Sequence, residues 1–143
     1  MLSMVFILNS QTLFGQSESN DQSFAVEYYY KVKWGYFNEF LDLYKKNHYP
    51  ILKRLLEKGD IVDMYAAYPV NHASEGPRWD FRYTIVWKDV KIAHDSREDW
   101  TDKTINELYP DRDTFEKEEQ RRFSILTEHT DIPVWRDELV DWK

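Results

Sequence analysis

The sequence predicts an α+β domain built on a four-stranded antiparallel sheet with helices on one face. Three observations carry this expectation. Hydrophobic periodicity switches between two and three-to-four residues in the order β-α-β-β-α-β. Two strand segments alternate with aromatic and β-branched residues on one face. The 143 residues suit one domain, which at this size buries about two-thirds of its unfolded surface.

The first strand is Phe24–Lys33, where Phe24, Val26, Tyr28, Tyr30 and Val32 alternate with Ala25, Glu27, Tyr29 and Lys31. Trp34-Gly35 ends it. Tyr36–Lys58 reads as a helix, because Phe37, Phe40, Leu41, Tyr44, His48, Ile51, Leu52 and Leu55 follow the spacing of one buried stripe. Gly59 is its natural stop. Pro50 falls inside this helix, removes a backbone donor and clashes with the Lys46 carbonyl, so a kink is expected there.

Ile61–Tyr68 is the second strand, closed by Pro69, and Val70–Arg78 is a loop rich in turn formers. Trp79–Trp87 is the third strand. Asp89–His94 is expected to form a short helical turn. Ser96 followed by Asp99 resembles a capping box opening a helix to Leu108. Tyr109-Pro110 breaks it. Asp111 or Asp113 caps a longer helix, Thr114–Glu128, with Phe115, Glu119, Arg122, Phe123 and Leu126 on its inner side. Ile132–Val140 is the last strand, and Pro133 places its start at an edge. This is the ferredoxin-like split βαβ arrangement, with an extra helical insert (Val90–Pro110) before the second main helix.

Residues 1–15 and 16–23 stand apart from the domain, which is expected to span 24–143. Met1–Gly15 holds no charged residue, and its apolar run is too short to span a bilayer. It reads as a truncated signal peptide, with cleavage near Gly15-Gln16. Its ending Leu13-Phe14-Gly15-Gln16 resembles export signals of Bacteroidetes-type bacteria. A positively charged n-region is missing. The polar stretch 16–23 reads as a disordered linker. The expected location is periplasmic or secreted, and no segment is apolar enough to span a membrane.

Net charge is −7 and no basic patch stands out, which argues against nucleic acid as a partner. The chain has no cysteine, so disulfides, thiolate metal sites and cysteine nucleophiles are excluded. Six Trp and ten Tyr serve either as core or as the lining of a ligand cavity, and composition does not separate the two.

Alternation divides the sheet into two faces. Tyr28, Tyr30, Val32, Phe81, Tyr83 and Ile85 form an apolar face for the helices. Glu27, Tyr29, Lys31, Asp63, Tyr65, Asp80, Arg82 and Thr84 form the other. That face mixes charges with tyrosines, too polar for an interface core. It is expected to meet its twin across a homodimer, enclosing polar cavities. A solvated sheet on a monomer is the rival expectation.

The segments EYYYKVKWGYFNEFLDLYKKNHYPIL and WDFRYTIVWKD resemble the dimeric α/β-barrel superfamily, which includes NIPSNAP-type, EthD-type and antibiotic-biosynthesis-monooxygenase-like proteins. The resemblance covers Phe24–Trp87. It implies a ferredoxin-like fold and a homodimer. Members include heme-degrading oxygenases, cofactor-free oxygenases, isomerases and proteins without known activity, so it implies no single reaction.

His48 is the first candidate for chemistry. It lies on the apolar stripe two residues before Pro50, where a kinked helix would aim its ring into the cavity as an acid/base group, a hydrogen-bond donor or a heme ligand. A core histidine bonded to a backbone carbonyl is the rival reading. Arg82, Asp80, Tyr29, Tyr65 and Glu27 are candidates for holding a small-molecule substrate, against a cross-strand ion-pair network. His72 joins them as a loop residue near strand ends. His94-Asp95 lacks metal-ligand spacing, so no metal site is expected, and His129 reads as structural. No motif calls for a cofactor; heme through His48 is the one cofactor reading the residues allow. The functional expectation is an exported small-molecule-binding protein, with cofactor-independent catalysis through His48 an open extension. The alternatives are a non-catalytic accessory or interaction protein with a filled core, and a heme-binding protein.

Overall fold

A computed structural model describes residues 23–71, 73–94 and 97–135. The element order is β1 (Phe24–Val32), α1 (Phe37–Leu43), a π-helical turn (Tyr44–His48), α2 (Tyr49–Lys58), β2 (Ile61–Ala67), β3 (Phe81–Trp87), α3 (Val90–His94), α4 (Arg97–Leu108), α5 (Arg112–Ser124) and β4 (Leu126–Val134). The strands form one antiparallel sheet in the order β2-β3-β1-β4. This is the ferredoxin-like order, with α3 and α4 as the helical insert. The proposed leader 1–15, nearly all of the 16–23 linker and the capping residue Ser96 lie outside the described residues.

The sheet face carrying Val26, Tyr30, Phe81, Tyr83, Ile85 and Trp87 packs against Phe40, Tyr44, Leu52 and Leu55 of the helices. Phe40 is fully buried, which stabilises the fold by about 2 kcal/mol relative to leaving it in water. Ile51, Ile105 and Phe115 form a second, smaller cluster that ties α2 to α4 and α5. Two glycines make the turns that need a left-handed residue. Gly35 (φ 85°) joins β1 to α1, and Gly59 (φ 84°) ends α2. Of the two capping candidates, Asp111 is the one used: its Oδ1 accepts the Thr114 N–H at 3.1 Å.

The largest departure from the sequence expectation is at β4. The final helix stops at Ser124 rather than Glu128, and the strand starts at Leu126 rather than Ile132. Charges at helical spacing run through Glu128 and hide the boundary. What decides it is tertiary: β4 pairs with β1 from Val32↔Leu126 to Ala25↔Val134, and this ladder outweighs weak local propensity. Thr127 is the extra residue of a bulge in that ladder, and its hydroxyl donates to the Lys31 carbonyl at 3.1 Å. Pro133 sits on an edge strand as expected, opposite Val26. Positions 136–140 of the expected strand lie outside the described residues. Among the described residues no helix is long and apolar enough to cross a membrane.

Candidate functional site

The helical ladder changes just before Pro50. The backbone shifts to π geometry over Tyr44–His48, and the Tyr49 N–H donates to the Tyr44 carbonyl five residues back. Such single π turns mark functional sites with high frequency. The turn is held from outside. Tyr109, just after α4, donates its hydroxyl to the carbonyls of Lys46 (3.0 Å) and Asn47 (2.9 Å). The Lys46 carbonyl is the one that Pro50, lacking an N–H, leaves without its α-helical donor. Glu118 of α5 grips the same turn, accepting from Lys46 Nζ (2.6 Å) and Asn47 Nδ2 (2.9 Å). The lysine ammonium and the Asn47 amide hold this carboxyl below its ordinary range.

This clamped turn presents His48 to a cavity of about 780 Å³ between the helix-side face of the sheet and helices α2, α4 and α5. Ile51, Leu52, Leu55, Ile85, Ile105 and Phe115 supply its apolar walls, and Tyr28, Tyr30, Tyr83 and Trp87 its sheet side. The ionisable groups lining it are His48, Asp102 and Glu119, besides the phenols. The His48 ring leans on that of Tyr44, centroids 4.9 Å apart. Burial, and then the positive charge of Arg122 and the neighbouring His129, depress the His48 pKa to about 3. At neutral pH the ring is therefore uncharged and offers one donor and one lone pair. Burial likewise raises the phenols of Tyr30, Tyr44 and Tyr83, which stay protonated as donors.

Behind the cavity wall lies a buried ion pair. Arg122, 1% exposed, donates from Nε and Nη2 to the two oxygens of Glu119 at 2.9 and 2.7 Å. Its guanidinium covers the Phe123 ring at 4.4 Å and lies 5.8 Å from that of Tyr44. Helical spacing alone puts Glu119 and Arg122 on the inner side of their helix and gives them no role. A charged pair on an otherwise apolar stripe was the available signal.

The other sequence candidates stand elsewhere. Glu27, Tyr29, Tyr65 and Arg82 lie on the opposite face of the sheet, in the rows Tyr65–Thr84–Glu27 and Ala67–Arg82–Tyr29. Tyr29 donates to Glu27 at 2.5 Å, and Arg82 lies 3.5 Å from the same carboxylate. Trp79 stands over both, 5.9 Å from the Tyr29 ring and 5.8 Å from the Arg82 guanidinium. The hydrogen bond to Glu27 raises the Tyr29 phenol pKa, and that to Tyr29 raises Arg82.

The expectation of one cavity shared by His48 and this group is thus corrected. The ring faces the helix side, and the sheet separates it from Arg82. Asp80 is committed to structure: Oδ2 accepts the Val32 N–H at 2.7 Å, and both oxygens take Arg78 Nη1 at 3.1 Å. His72 and Asp95 lie outside the described residues. His94 packs on Phe24, centroids 5.6 Å apart. His129 stacks on Tyr30 at 4.3 Å and pairs with Asp131 at 3.1 Å.

Fold and cavity together define a ferredoxin-like α+β protein with a pocket between its sheet and its helices. No protein-family model matches the sequence, and no curated protein matches it either. Solved structures do. A NIPSNAP family protein from Agrobacterium tumefaciens str. C58 superposes with a TM-score of 0.51 at 12% identity, over 82% of this chain and 96% of that one. A dimeric ferredoxin-like protein from an uncultured marine organism gives a TM-score of 0.51 at 7% identity, over 84% and 95%. At these identities the likeness is one of fold. It agrees with the resemblance to the NIPSNAP-type superfamily carried by the opening strand and helix.

Proposed function

We propose that this protein binds an uncharged, ring-containing small molecule in the cavity beside His48. The observation that carries this reading is the cavity itself, about 780 Å³ with aromatic and aliphatic walls and few polar groups, the usual make-up of a small-molecule site. An uncharged ligand suits the electrostatics. Glu119 is already paired with Arg122, and Asp102 adds a negative charge to the lining. A group with a pKa of about 3 is a weak base at neutral pH. Hydrogen bonding is therefore a better use of His48 than the acid/base role.

Heme fits these residues poorly. The neutral imidazole is of the ligating kind, but its carboxylated rim would meet Asp102 and Glu119, with Arg122 already taken. Export rests on the uncharged residues 1–15. A homodimer through the open sheet face is supported by exposed Tyr65 and Ile132 on it and by the dimeric description of one fold neighbour.

The test is a screen of uncharged ring compounds by NMR with the His48 ring and the Trp87 indole assigned. Binders should move both signals, and Ile105→Trp, which fills the cavity, should abolish binding. Binders that leave both signals unmoved, or that bind the filled variant equally well, would refute the reading.

A further inference from the structure

A second cavity, of about 480 Å³, lies where α1, the π-helical turn and the start of α2 face β2 and β3. Its lining differs in charge from that of the cavity beside His48. Among the described residues no acidic side chain lines it, and its one charged group is Lys45. Five of the lining residues are tyrosines. Tyr49, Tyr65 and Tyr68 are 41%, 38% and 47% exposed at its rim, and exposed aromatic rings gathered round one hollow mark an interaction surface. Lys45 differs from the other basic residues of the same helical segment. Lys46 is paired with Glu118, Lys53 with Glu57, Arg54 with Glu107 and Lys58 with Asp60. Lys45 has no acidic partner among the described residues. The floor holds a donor too. The hydroxyl of buried Tyr83 donates to Met64 Sδ at 2.9 Å, and a thioether is a weak acceptor. Met64 lines this cavity and not the one beside His48, so the hydroxyl end of Tyr83 is on this side.

We propose that this second cavity binds an aromatic carboxylate, its ring among the tyrosines and its carboxylate paired with Lys45. The site is separate from the one beside His48 and does not depend on it. Its volume is in the range of small-molecule sites, and the tyrosine rings offer edges and faces to a flat aromatic body. Charge decides the sign of the ligand. A carboxylate here meets an ammonium and no like charge, whereas in the first cavity it would meet Asp102 and Glu119. The under-used Tyr83 donor favours a ligand bearing oxygen over a plain hydrocarbon.

A matched pair of probes isolates the charge: 2-naphthoate, and its neutral amide, 2-naphthamide. Dissociation constants are measured by equilibrium dialysis against the full chain at neutral pH and low ionic strength. Lys45→Met should weaken 2-naphthoate about fivefold, the size of one part-exposed ion pair, and leave 2-naphthamide within about twofold. Lys45 is exposed, so the variant should melt as the parent does, and Lys45→Arg should restore the affinity. Ala66→Phe places a ring in the second cavity and should abolish 2-naphthoate binding. Ile105→Trp, which fills the cavity beside His48, should leave it unchanged. If Lys45→Met binds 2-naphthoate as tightly as the parent does, the ion pair is wrong and the proposal falls. It falls also if Ile105→Trp removes the binding and Ala66→Phe does not, since the carboxylate then sits in the first cavity. Failure of 2-naphthoate to bind the parent protein overturns the second site and leaves the binding of uncharged rings beside His48 untouched.

Discussion

Replacing Tyr109 by Phe removes one hydroxyl and keeps the ring, which stacks on Phe115 at 4.5 Å. Among the described residues, the bonds lost are those to the Lys46 and Asn47 carbonyls, at 3.0 and 2.9 Å. A single proton serves both acceptors, so the net loss is that of one hydrogen bond, about 1 kcal/mol. For a domain of this size that lowers the melting temperature by about 3–5 °C. If Pro50 is the reason the hydroxyl is needed, removing the proline should shrink the loss. In a Pro50→Ala background residue 50 regains an N–H and the turn can relax towards α geometry, so Tyr109→Phe should cost less than half as much. Urea unfolding of the four proteins gives the coupling directly. Equal losses in both backgrounds would show that Tyr109 does not compensate for the proline. A loss under about 0.3 kcal/mol in the parent would show that the hydroxyl is better served by water.

Three further outcomes are expected. The folded pKa of His48 lies near 3, below its ordinary 6.5, so unfolding takes up a proton between these values. Stability is then fully present above pH 6.5 and falls as pH drops towards 3, with a slope approaching about 1.4 kcal/mol per pH unit. His48→Gln should flatten that slope in urea melts between pH 4.5 and 6.5; His129, shifted in the same direction, keeps a share of it. Asp80→Asn removes the less exposed of the two carboxylates paired with buried Arg78, leaving Glu75, and should destabilise by about 1–3 kcal/mol in the same assay; a loss within about 0.5 kcal/mol would show that the pair is dispensable. Ile132→Glu on the open sheet face should shift light-scattering mass from dimer to monomer. A parent protein that is monomeric at all concentrations would remove that interface.

How far the sequence could be read depended on what kind of force decided each feature. Periodicity located β1, the helical segment that follows it and β3 because each buries one stripe or one face, and burial is written residue by residue. The β4 boundary was not legible, because Leu126–Asp131 has no strong preference of its own and becomes a strand by pairing with β1. Pro50 announced a disturbance at Lys46. It did not announce that Tyr109, sixty-three residues from Lys46, would cross over to answer the freed carbonyl.

The location of the site shows the same limit more sharply. Alternation assigned Tyr28, Tyr30 and Tyr83 to one face and Glu27, Tyr29 and Arg82 to the other, and the register agrees. It carries no information on which side of the sheet is left unfilled. Polar residues on the open face drew the expected cavity there, yet their charges satisfy one another: Glu27 takes Tyr29 and Arg82, and Asp80 takes Arg78 and Val32. The space lies instead on the apolar side, between the sheet and the helices α2, α4 and α5, which meet through Ile51, Ile105 and Phe115. Polar groups that pair off locally are poor evidence of a ligand. The more telling one is a half-buried imidazole kept neutral beside a largely apolar cavity.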